Sequence, residues 1–153
     1  MRTIEIPGEA SLRLEYLVLD VNGTLTARGE LIDGVAERLE GLAGDLALHL
    51  LTADTFGTAS GLGDRLGVPV TLIRSGDDKA AFVRTLGAAT TVAIGNGRND
   101  AAMLQAARLG IAIIGPEGAA AATLLAADLI FRSVTEALDL LLDDRSLIAT
   151  LRP

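Results

Sequence analysis

The 153-residue chain has the length of one ordinary domain with room for a substantial core, which excludes a tandem enzyme. Half of its residues are hydrophobic but only 3% are aromatic, and 20 acidic residues outnumber 13 basic ones, for a net charge of −7. Nucleic acid is therefore a poor partner. The lack of cysteine excludes disulfides, thiolate metal sites and a cysteine nucleophile.

The apolar stretches of the chain are short. Charged residues interrupt each of them before the roughly 18 consecutive residues that a membrane span needs. The first five residues, Met-Arg-Thr-Ile-Glu, contain no apolar core of a signal peptide. We therefore expect a cytoplasmic protein without membrane contact.

Short apolar runs alternate along the chain with segments of helical spacing, and neither a linker nor a repeat divides it. Continuous apolar runs are typical of strands that are covered on both faces. The alternation predicts one α/β domain over 1–153, a doubly wound, Rossmann-like three-layer sandwich with a mainly parallel central sheet. In chain order the predicted elements are an edge hairpin within 1–15, strand 16–20, helix 32–42, strand 46–52, helix 56–66, strand 68–73, helix 77–86, strand 90–95, helix 100–107, strand 110–114, and helices 118–126 and 134–142.

Polar residues stand at the ends of the predicted strands, where function collects in a doubly wound sheet. Asp20 ends the first core strand, Thr52 ends the second, and Asp100 follows the fourth. Lys79 lies at the start of a helix that precedes the fourth strand. We expect a carboxylate, a hydroxyl, an ammonium and a second carboxylate to meet at one edge of the sheet.

These residues form a series of motifs. The run Asp20-Val-Asn-Gly-Thr-Leu-Thr26, followed by Thr52, Lys79 and Gly95-Asn-Gly-Arg-Asn-Asp100, resembles the haloacid-dehalogenase-like phosphohydrolase superfamily over about residues 16–142. More narrowly, the Asn in the first motif and the Gly-Asn-Gly-x-Asn-Asp loop look like the small soluble proteins that are similar to the phosphorylation domain of P-type ATPases.

The resemblance implies a phosphoryl-transfer site, and the residue types suit that chemistry. Asp20 is the candidate nucleophile, because a carboxylate can attack phosphorus and form an aspartyl phosphate. Lys79 would stabilise charge on the transferring oxygens as a compact ammonium. Thr52 would donate its hydroxyl to a phosphate oxygen, and N–H groups around Gly23 and Ala53 would complete the cradle.

Mg²⁺ is the implied cofactor, because a cation must offset the charge between carboxylate and phosphate. Asp20, Asp100 and the backbone carbonyl of Asn22 would hold the cation. Asn96 occupies the remaining metal position of the family pattern. Asn99 is predicted either to contact phosphate or to cap the helix that begins at Asp100.

The chain departs from the common family pattern at two positions. Asn22 stands where most superfamily phosphatases carry an Asp that serves as general acid and base, and an amide cannot cycle a proton. Asn96 stands at the first acidic position of the common Gly-Asp-Gly-x-Asn-Asp loop. We therefore expect weak metal binding and poor turnover of substrates whose leaving group needs a proton.

Each key residue also has a structural interpretation. Asp20 before Asn-Gly is able simply to start a turn, and Thr52 is able to serve as a turn or cap residue. Lys79 would then be a solvated lysine on a helix that Ser75 caps. These interpretations do not explain why the motifs follow one another in order.

The short spacings leave no room for a cap domain: Thr52 follows Asp20 by 32 residues, and Lys79 follows Thr52 by 27. The site should be open, which favours a homo-oligomer in which a neighbour covers it. The predicted function is a Mg²⁺-dependent phosphohydrolase that acts on a phosphorylated small molecule or nucleotide. The alternatives are a non-catalytic phosphate-binding or interaction module and a capless sugar-phosphate phosphatase, which would need the missing Asp.

Overall fold

The computed structural model describes residues 1–53 and 59–153. The strands are β1 (Arg2–Ile4), β2 (Leu12–Leu14), β3 (Tyr16–Asp20), β4 (Thr26–Ala27), β5 (Glu30–Leu31), β6 (Ala47–Thr52), β7 (Val70–Leu72), β8 (Thr91–Gly95), β9 (Leu109–Ile113) and β10 (Leu129–Phe131). The helices are α1 (Val35–Ala43), α2 (Ala59–Leu66), α3 (Gly76–Gly87), α4 (Ala101–Ala106), α5 (Ala121–Ala126), α6 (Val134–Leu142) and α7 (Asp144–Leu151).

Six strands form one parallel sheet in the order β10-β9-β8-β3-β6-β7. Helices α1, α2, α6 and α7 pack on one face, and α3, α4 and α5 pack on the other. This arrangement confirms the predicted three-layer α/β sandwich. No helix in the described part of the chain is long and apolar enough to cross a bilayer.

The central strands are buried on both faces because their side chains alternate between two cores. In β3, Leu17 and Leu19 lie in the larger core, and Val18 lies in the smaller core under α3, α4 and α5. On that second face β8 and β9 present Ala93 and Ala112. Such small side chains allow helices to pack close to a sheet at normal interior density.

The five predicted core strands and the six predicted helices all occur, and their described ends agree within three residues. The first three residues of the helix predicted at 56–66 lie outside the described residues. From β3 to α1 the chain forms the β4–β5 hairpin and no cap domain.

The N-terminal hairpin corrects one prediction. β1 and β2 do pair, but they form a separate two-stranded sheet rather than an addition to the edge of the central one. Their apolar residues Ile4, Leu12 and Leu14 are buried in the larger core. Burial, rather than pairing with an edge strand, therefore holds the hairpin in place.

Three elements escape the sequence pattern. β10 has three residues, too few for its period to stand out. α7 follows directly on α6, and Asp143 caps it by accepting the Arg145 N–H at 3.1 Å. The β4–β5 hairpin turns at Arg28 and Gly29, both left-handed with φ of 52° and 87°, and an Arg-Gly pair is not a usual turn signal.

Candidate active site

The predicted site residues lie at the carboxyl edge of three neighbouring strands. Asp20 is the last residue of β3, Thr52 is the last residue of β6, and the loop after β8 leads to Asp100. From β3 the sheet extends to β6 on one side and to β8 on the other, so this edge is the topological switch point where a crevice forms. Lys79 reaches the same edge from the first turn of α3.

Lys79 joins Asp20 and Asp100 in a buried ion cluster. Its Nζ lies 2.6 Å from Oδ1 of Asp20 and 2.6 Å from Oδ1 of Asp100. The Lys79 side chain is 0% exposed, and the carboxylates are 9% and 0% exposed. Buried charges of this kind need partners, so the interpretation of Lys79 as a solvated helix lysine is wrong. The predicted N-cap of α3 by Ser75 is nevertheless present, since Ser75 Oγ accepts the Asp78 N–H at 3.2 Å.

Lys79 is the only lysine among the 13 basic residues of the chain. An ammonium is a compact point charge with rotatable donors, whereas a guanidinium is a wide planar fork. The space between two carboxylates therefore suits lysine. A single lysine in an otherwise arginine-based composition is a signal for this site that the sequence analysis did not use.

Burial and charge together set the ionisation of the cluster. Desolvation raises the pKa of Asp20 to about 6, with a contribution in the same direction from the charge of Asp100 and an opposing one from Lys79. Burial lowers the pKa of Lys79, but the two carboxylates outweigh burial, so the pKa lies above its usual value. At neutral pH Asp20 is therefore mostly a carboxylate and Lys79 is an ammonium.

Asp100 also organises the loop that follows β8. Its Oδ2 accepts the N–H of Asn96 at 3.0 Å and the N–H of Gly97 at 2.9 Å. Gly95 leaves the necessary space, because a Cβ there would lie 2.5 Å from the carboxyl carbon of Asp100. One carboxylate thus holds both the lysine and the loop.

Thr24 is a site residue that the sequence analysis did not single out. It is fully buried, and its Oγ1 lies 3.1 Å from Oδ2 of Asp20 and 3.2 Å from Oδ1 of Asn96. A hydroxyl carries one proton, so Thr24 can donate to only one of these oxygens at a time. Its place in the motif, four residues after Asp20, was the feature of the sequence that could have indicated this role.

Asn22 and Thr52 contact each other beside Asp20. The Asn22 Nδ2 donates to Thr52 Oγ1 at 3.3 Å, and Thr52 is buried while Asn22 is half-buried. Because Oγ1 accepts from Asn22, the Thr52 proton is directed away from Asn22.

The predicted phosphate cradle contains one N–H group that already has a partner in the turn after Asp20. The N–H of Gly23 donates to the Thr26 carbonyl at 3.0 Å inside the turn, and phosphate contact by the N–H groups around Gly23 stays a prediction. Gly23 also provides a left-handed backbone with φ of 80° and a close approach, because a Cβ there would lie 2.6 Å from Nδ2 of Asn96. Ala53 lies exposed just after β6, and its N–H remains a predicted donor.

Asn99 is exposed in a 3₁₀ turn, Arg98–Asp100, that precedes α4. Asp100, not Asn99, stands at the N-cap of α4, so the capping interpretation of Asn99 is wrong. Contact with phosphate remains a prediction for this residue.

The oxygen atoms around Asp20 suit a hard divalent cation. Asp20 Oδ2 and Asn96 Oδ1 share the single proton of Thr24, so one of them always keeps its lone pairs for another partner. Carboxylate and amide oxygens are the ligands that Mg²⁺ takes. Over 1–53 and 59–153, no three His, Cys, Asp or Glu side chains form a metal-binding group. A cation here would meet the Asp20 carboxylate and the Asn96 amide oxygen, whereas ligation by Asp100, whose Oδ1 contacts Lys79 and whose Oδ2 accepts two N–H groups, stays a prediction.

Replacement of Lys79, the buried ammonium, tests the electrostatics of the Asp20–Lys79–Asp100 cluster. In metal-free protein, Lys79→Met should lower the free energy of unfolding at pH 8 by about 3–5 kcal/mol, because two carboxylates lose their buried partner. Folding raises the pKa of Asp20, and loss of Lys79 raises it more, so the folded variant binds a proton that the unfolded chain does not. The variant should therefore regain stability as the pH falls from 8 to 5.

Urea unfolding at both pH values measures this effect. Lys79→Met/Asp20→Asn, which has one buried carboxylate fewer, should lose less stability at pH 8 than Lys79→Met. If Lys79→Met is equally destabilised at both pH values, the ionisation assigned to Asp20 is incorrect.

Comparison by sequence gives limited information. No family model matches the chain. A protein of uncharacterised function from Methanocaldococcus jannaschii is 49% identical over 61 residues, which are 40% of this chain and 66% of that protein. The chain thus covers just under two thirds of that relative.

Comparison by structure covers nearly the whole chain. The 3-deoxy-D-manno-octulosonate 8-phosphate phosphatase of Moraxella catarrhalis, a complex with magnesium, phosphate and the sugar acid, matches with a TM-score of 0.69 at 19% identity over 91% of this chain and 94% of that one. The cobalt-bound form of the corresponding phosphatase from Haemophilus influenzae matches with a TM-score of 0.72 at 15% identity, over 92% of this chain and 94% of that one. The catalytic domain of the CPx-ATPase CopB-B matches with a TM-score of 0.63 at 23% identity, over 74% of this chain and 46% of that one. At these identities the likeness establishes the fold.

Proposed function

We infer that this chain, which has the fold of the haloacid-dehalogenase-like phosphohydrolases, is itself a phosphohydrolase that acts through an aspartyl phosphate on Asp20. The observation that carries the proposal is the buried Asp20–Lys79–Asp100 cluster at the switch point of the sheet. Burying three charges is costly for folding, and perturbed ionisable groups of this kind concentrate at functional sites. A carboxylate can attack phosphorus and form an aspartyl phosphate, and the contact with Lys79 favours the ionised form of Asp20 that this attack requires.

Lys79 keeps the nucleophile ready. Asp20 attacks only as a carboxylate, and burial alone would favour its neutral form. The ammonium at 2.6 Å opposes that tendency and holds Oδ1 in one position. Thr24, at 3.1 Å from Oδ2, limits rotation of the same carboxylate. Both contacts orient Asp20 before any substrate binds.

Two groups beside Asp20 would bind the phosphate. The Thr52 hydroxyl would donate to a phosphate oxygen, and the N–H of Ala53 would donate to another. Asp20, Asp100, Asn96 and the Asn22 carbonyl would hold a divalent cation, which would offset the charge between carboxylate and phosphate when bound.

Asn22 limits the class of substrate. Its amide nitrogen is used on Thr52 and cannot supply a proton that is later taken back from water. The substrates that fit are those with a leaving group that is stable without a proton, which are acyl phosphates, aryl phosphates and nucleoside polyphosphates. Alkyl phosphates, including sugar phosphates, should be poor substrates.

The direct test is hydrolysis of acetyl phosphate, p-nitrophenyl phosphate, ATP and an alkyl phosphate, each with Mg²⁺ and with a chelator. The proposal expects metal-dependent turnover of the first three classes. Binding of Mg²⁺ and beryllofluoride without any turnover would instead favour a non-catalytic phosphate-binding module. The observation that favours this second function is the presence of amides, rather than acids, at positions 22 and 96.

Metal and phosphate should bind cooperatively. With two carboxylates, the site should bind Mg²⁺ weakly alone and more tightly with phosphate, whose oxygens complete the coordination shell. Asp100→Asn, which keeps an acceptor for the loop, should weaken Mg²⁺ binding by about tenfold or more. Titration calorimetry measures both effects, with Asp77→Asn as a matched control at an exposed carboxylate of α3. Unchanged binding in Asp100→Asn would remove Asp100 from the metal site.

A further inference from the structure

The loop between β9 and α5, residues 114–120, is attached to the site through Asn96. The Asn96 Nδ2 donates to the carbonyl of Gly118 at 3.0 Å, and the N–H of Ala120 donates to the backbone carbonyl of Asn96 at 2.9 Å. On its other side the Asn96 Oδ1 lies 3.2 Å from Thr24 Oγ1. One side chain, 9% exposed, thus connects the turn after Asp20 with the 114–120 loop.

The two halves of this loop are held differently. At its start, the N–H groups of Ile114 and Gly115 donate to carbonyls of β10 and the residue after it, at 2.9 and 3.0 Å. Beyond Gly115, the internal support is one hydrogen bond of 3.3 Å from the Gly118 N–H to the Gly115 carbonyl, and Gly118 is left-handed with φ of 74°. Ala120 is held by backbone bonds, since its carbonyl also accepts the N–H groups of Thr123 and Leu124, so the Asn96 side chain matters most at Gly118.

The loop also lies directly against the turn after Asp20. A Cβ at Gly115 would be 3.3 Å from the carbonyl oxygen of Gly23, so the two backbones are close neighbours. A shift of the loop would therefore change the surroundings of the residues that follow Asp20.

Position 96 needs an amide for this contact. The Gly118 carbonyl can only accept, so its partner must donate. A carboxylate at 96 would turn lone pairs toward that carbonyl, and it would add a third acid beside Asp20 and Asp100, which share one ammonium. Asn22 is different, because its partner Thr52 is a hydroxyl that is able to reverse and donate to an acid.

We propose that Asn96 is a positioning residue that fastens the 114–120 loop to the turn after Asp20, and that this loop is a wall of the phosphate-ester site. The wall's effect on turnover rests on the proposed function, whereas the fastening does not. The loop then requires an amide at position 96, and an acid at this position would release the loop from the site.

Amide hydrogen exchange of the substrate-free protein tests the fastening. Asn96→Asp and Asn96→Ala should each speed exchange of the Gly118 N–H by about tenfold, the effect of losing the hydrogen bond that holds this part of 117–120, while exchange in β3 and β8 stays slow. Asn99→Asp makes the same chemical change at an exposed position of the same segment and should leave exchange in 117–120 as in wild type. Exchange in 117–120 that is unchanged in a folded Asn96 variant would overturn the proposal. Asn96→Ala keeps the test open if the added charge of Asn96→Asp prevents folding.

Kinetics with p-nitrophenyl phosphate test the wall. With saturating Mg²⁺, which offsets loss of the Asn96 oxygen from the proposed metal site, Asn96→Ala should raise KM more than it lowers kcat, because Asp20 keeps Lys79 and Thr24 as partners. An equal KM with a lower kcat would contradict the wall. If wild type shows no turnover, the proposed function fails, and the exchange result still decides the fastening.

Discussion

Asp20→Asn should lower turnover of p-nitrophenyl phosphate by on the order of 10⁴–10⁶-fold, the loss typical of a removed nucleophile. An amide cannot form the aspartyl phosphate, and it also gives up one carboxylate of the metal site. The protein should still fold, because Lys79 keeps its 2.6 Å contact with Asp100 and the amide is nearly isosteric.

The control for this experiment is Asp77→Asn, which removes an exposed carboxylate at the start of α3 and should keep wild-type turnover. Mass spectrometry after rapid quenching should detect the phosphoenzyme in wild type and not in Asp20→Asn. A folded Asp20→Asn protein with the wild-type rate would refute the nucleophile assignment.

Asn22→Asp should convert the site toward general acid and base catalysis. Without a proton donor at position 22, wild-type rates should fall steeply as the leaving group becomes more basic. An aspartate there is able to donate to the leaving oxygen and later to deprotonate water. We expect a gain of about 10²–10⁴-fold for alkyl phosphates and little gain for acetyl phosphate, whose leaving group needs no proton.

The contact between Asn22 and Thr52 sets a condition on this gain. An ionised carboxylate at position 22 would draw the Thr52 proton toward itself and away from phosphate, so KM should rise in the same variant. Rates over a leaving-group series, for wild type and Asn22→Asp, measure the slope. A wild type that is indifferent to leaving-group basicity would mean that another residue is the acid.

The sequence was informative where one pattern had one physical solution. Continuous apolar runs such as 16–20 fit strands covered on both faces, and polar residues at their ends had to meet because parallel strands end at one edge. The pattern could not show that the Thr24 hydroxyl lies between Asp20 and Asn96, or that the Gly23 N–H donates to the Thr26 carbonyl. Those facts depend on which donors face which acceptors in the folded chain.

The same limit explains the misplaced hairpin and the missed β10. Alternation predicts that β1 and β2 are strands but not what they pair with, since pairing is decided by the burial of Ile4, Leu12 and Leu14 against residues elsewhere in the chain. β10 exists because β9 offers it a free edge, and its own three residues carry almost no signal.

The burial of Lys79 has a consequence for chemical labelling. The chain contains no other lysine, and this one is 0% exposed, so the folded chain shields its lysine from amine-directed reagents. A dye or biotin ester should therefore leave Lys79 unmodified while the chain is folded. An adduct on Lys79 would form only in molecules whose ion cluster has opened, so the rate of labelling at Lys79 would measure how often the cluster opens.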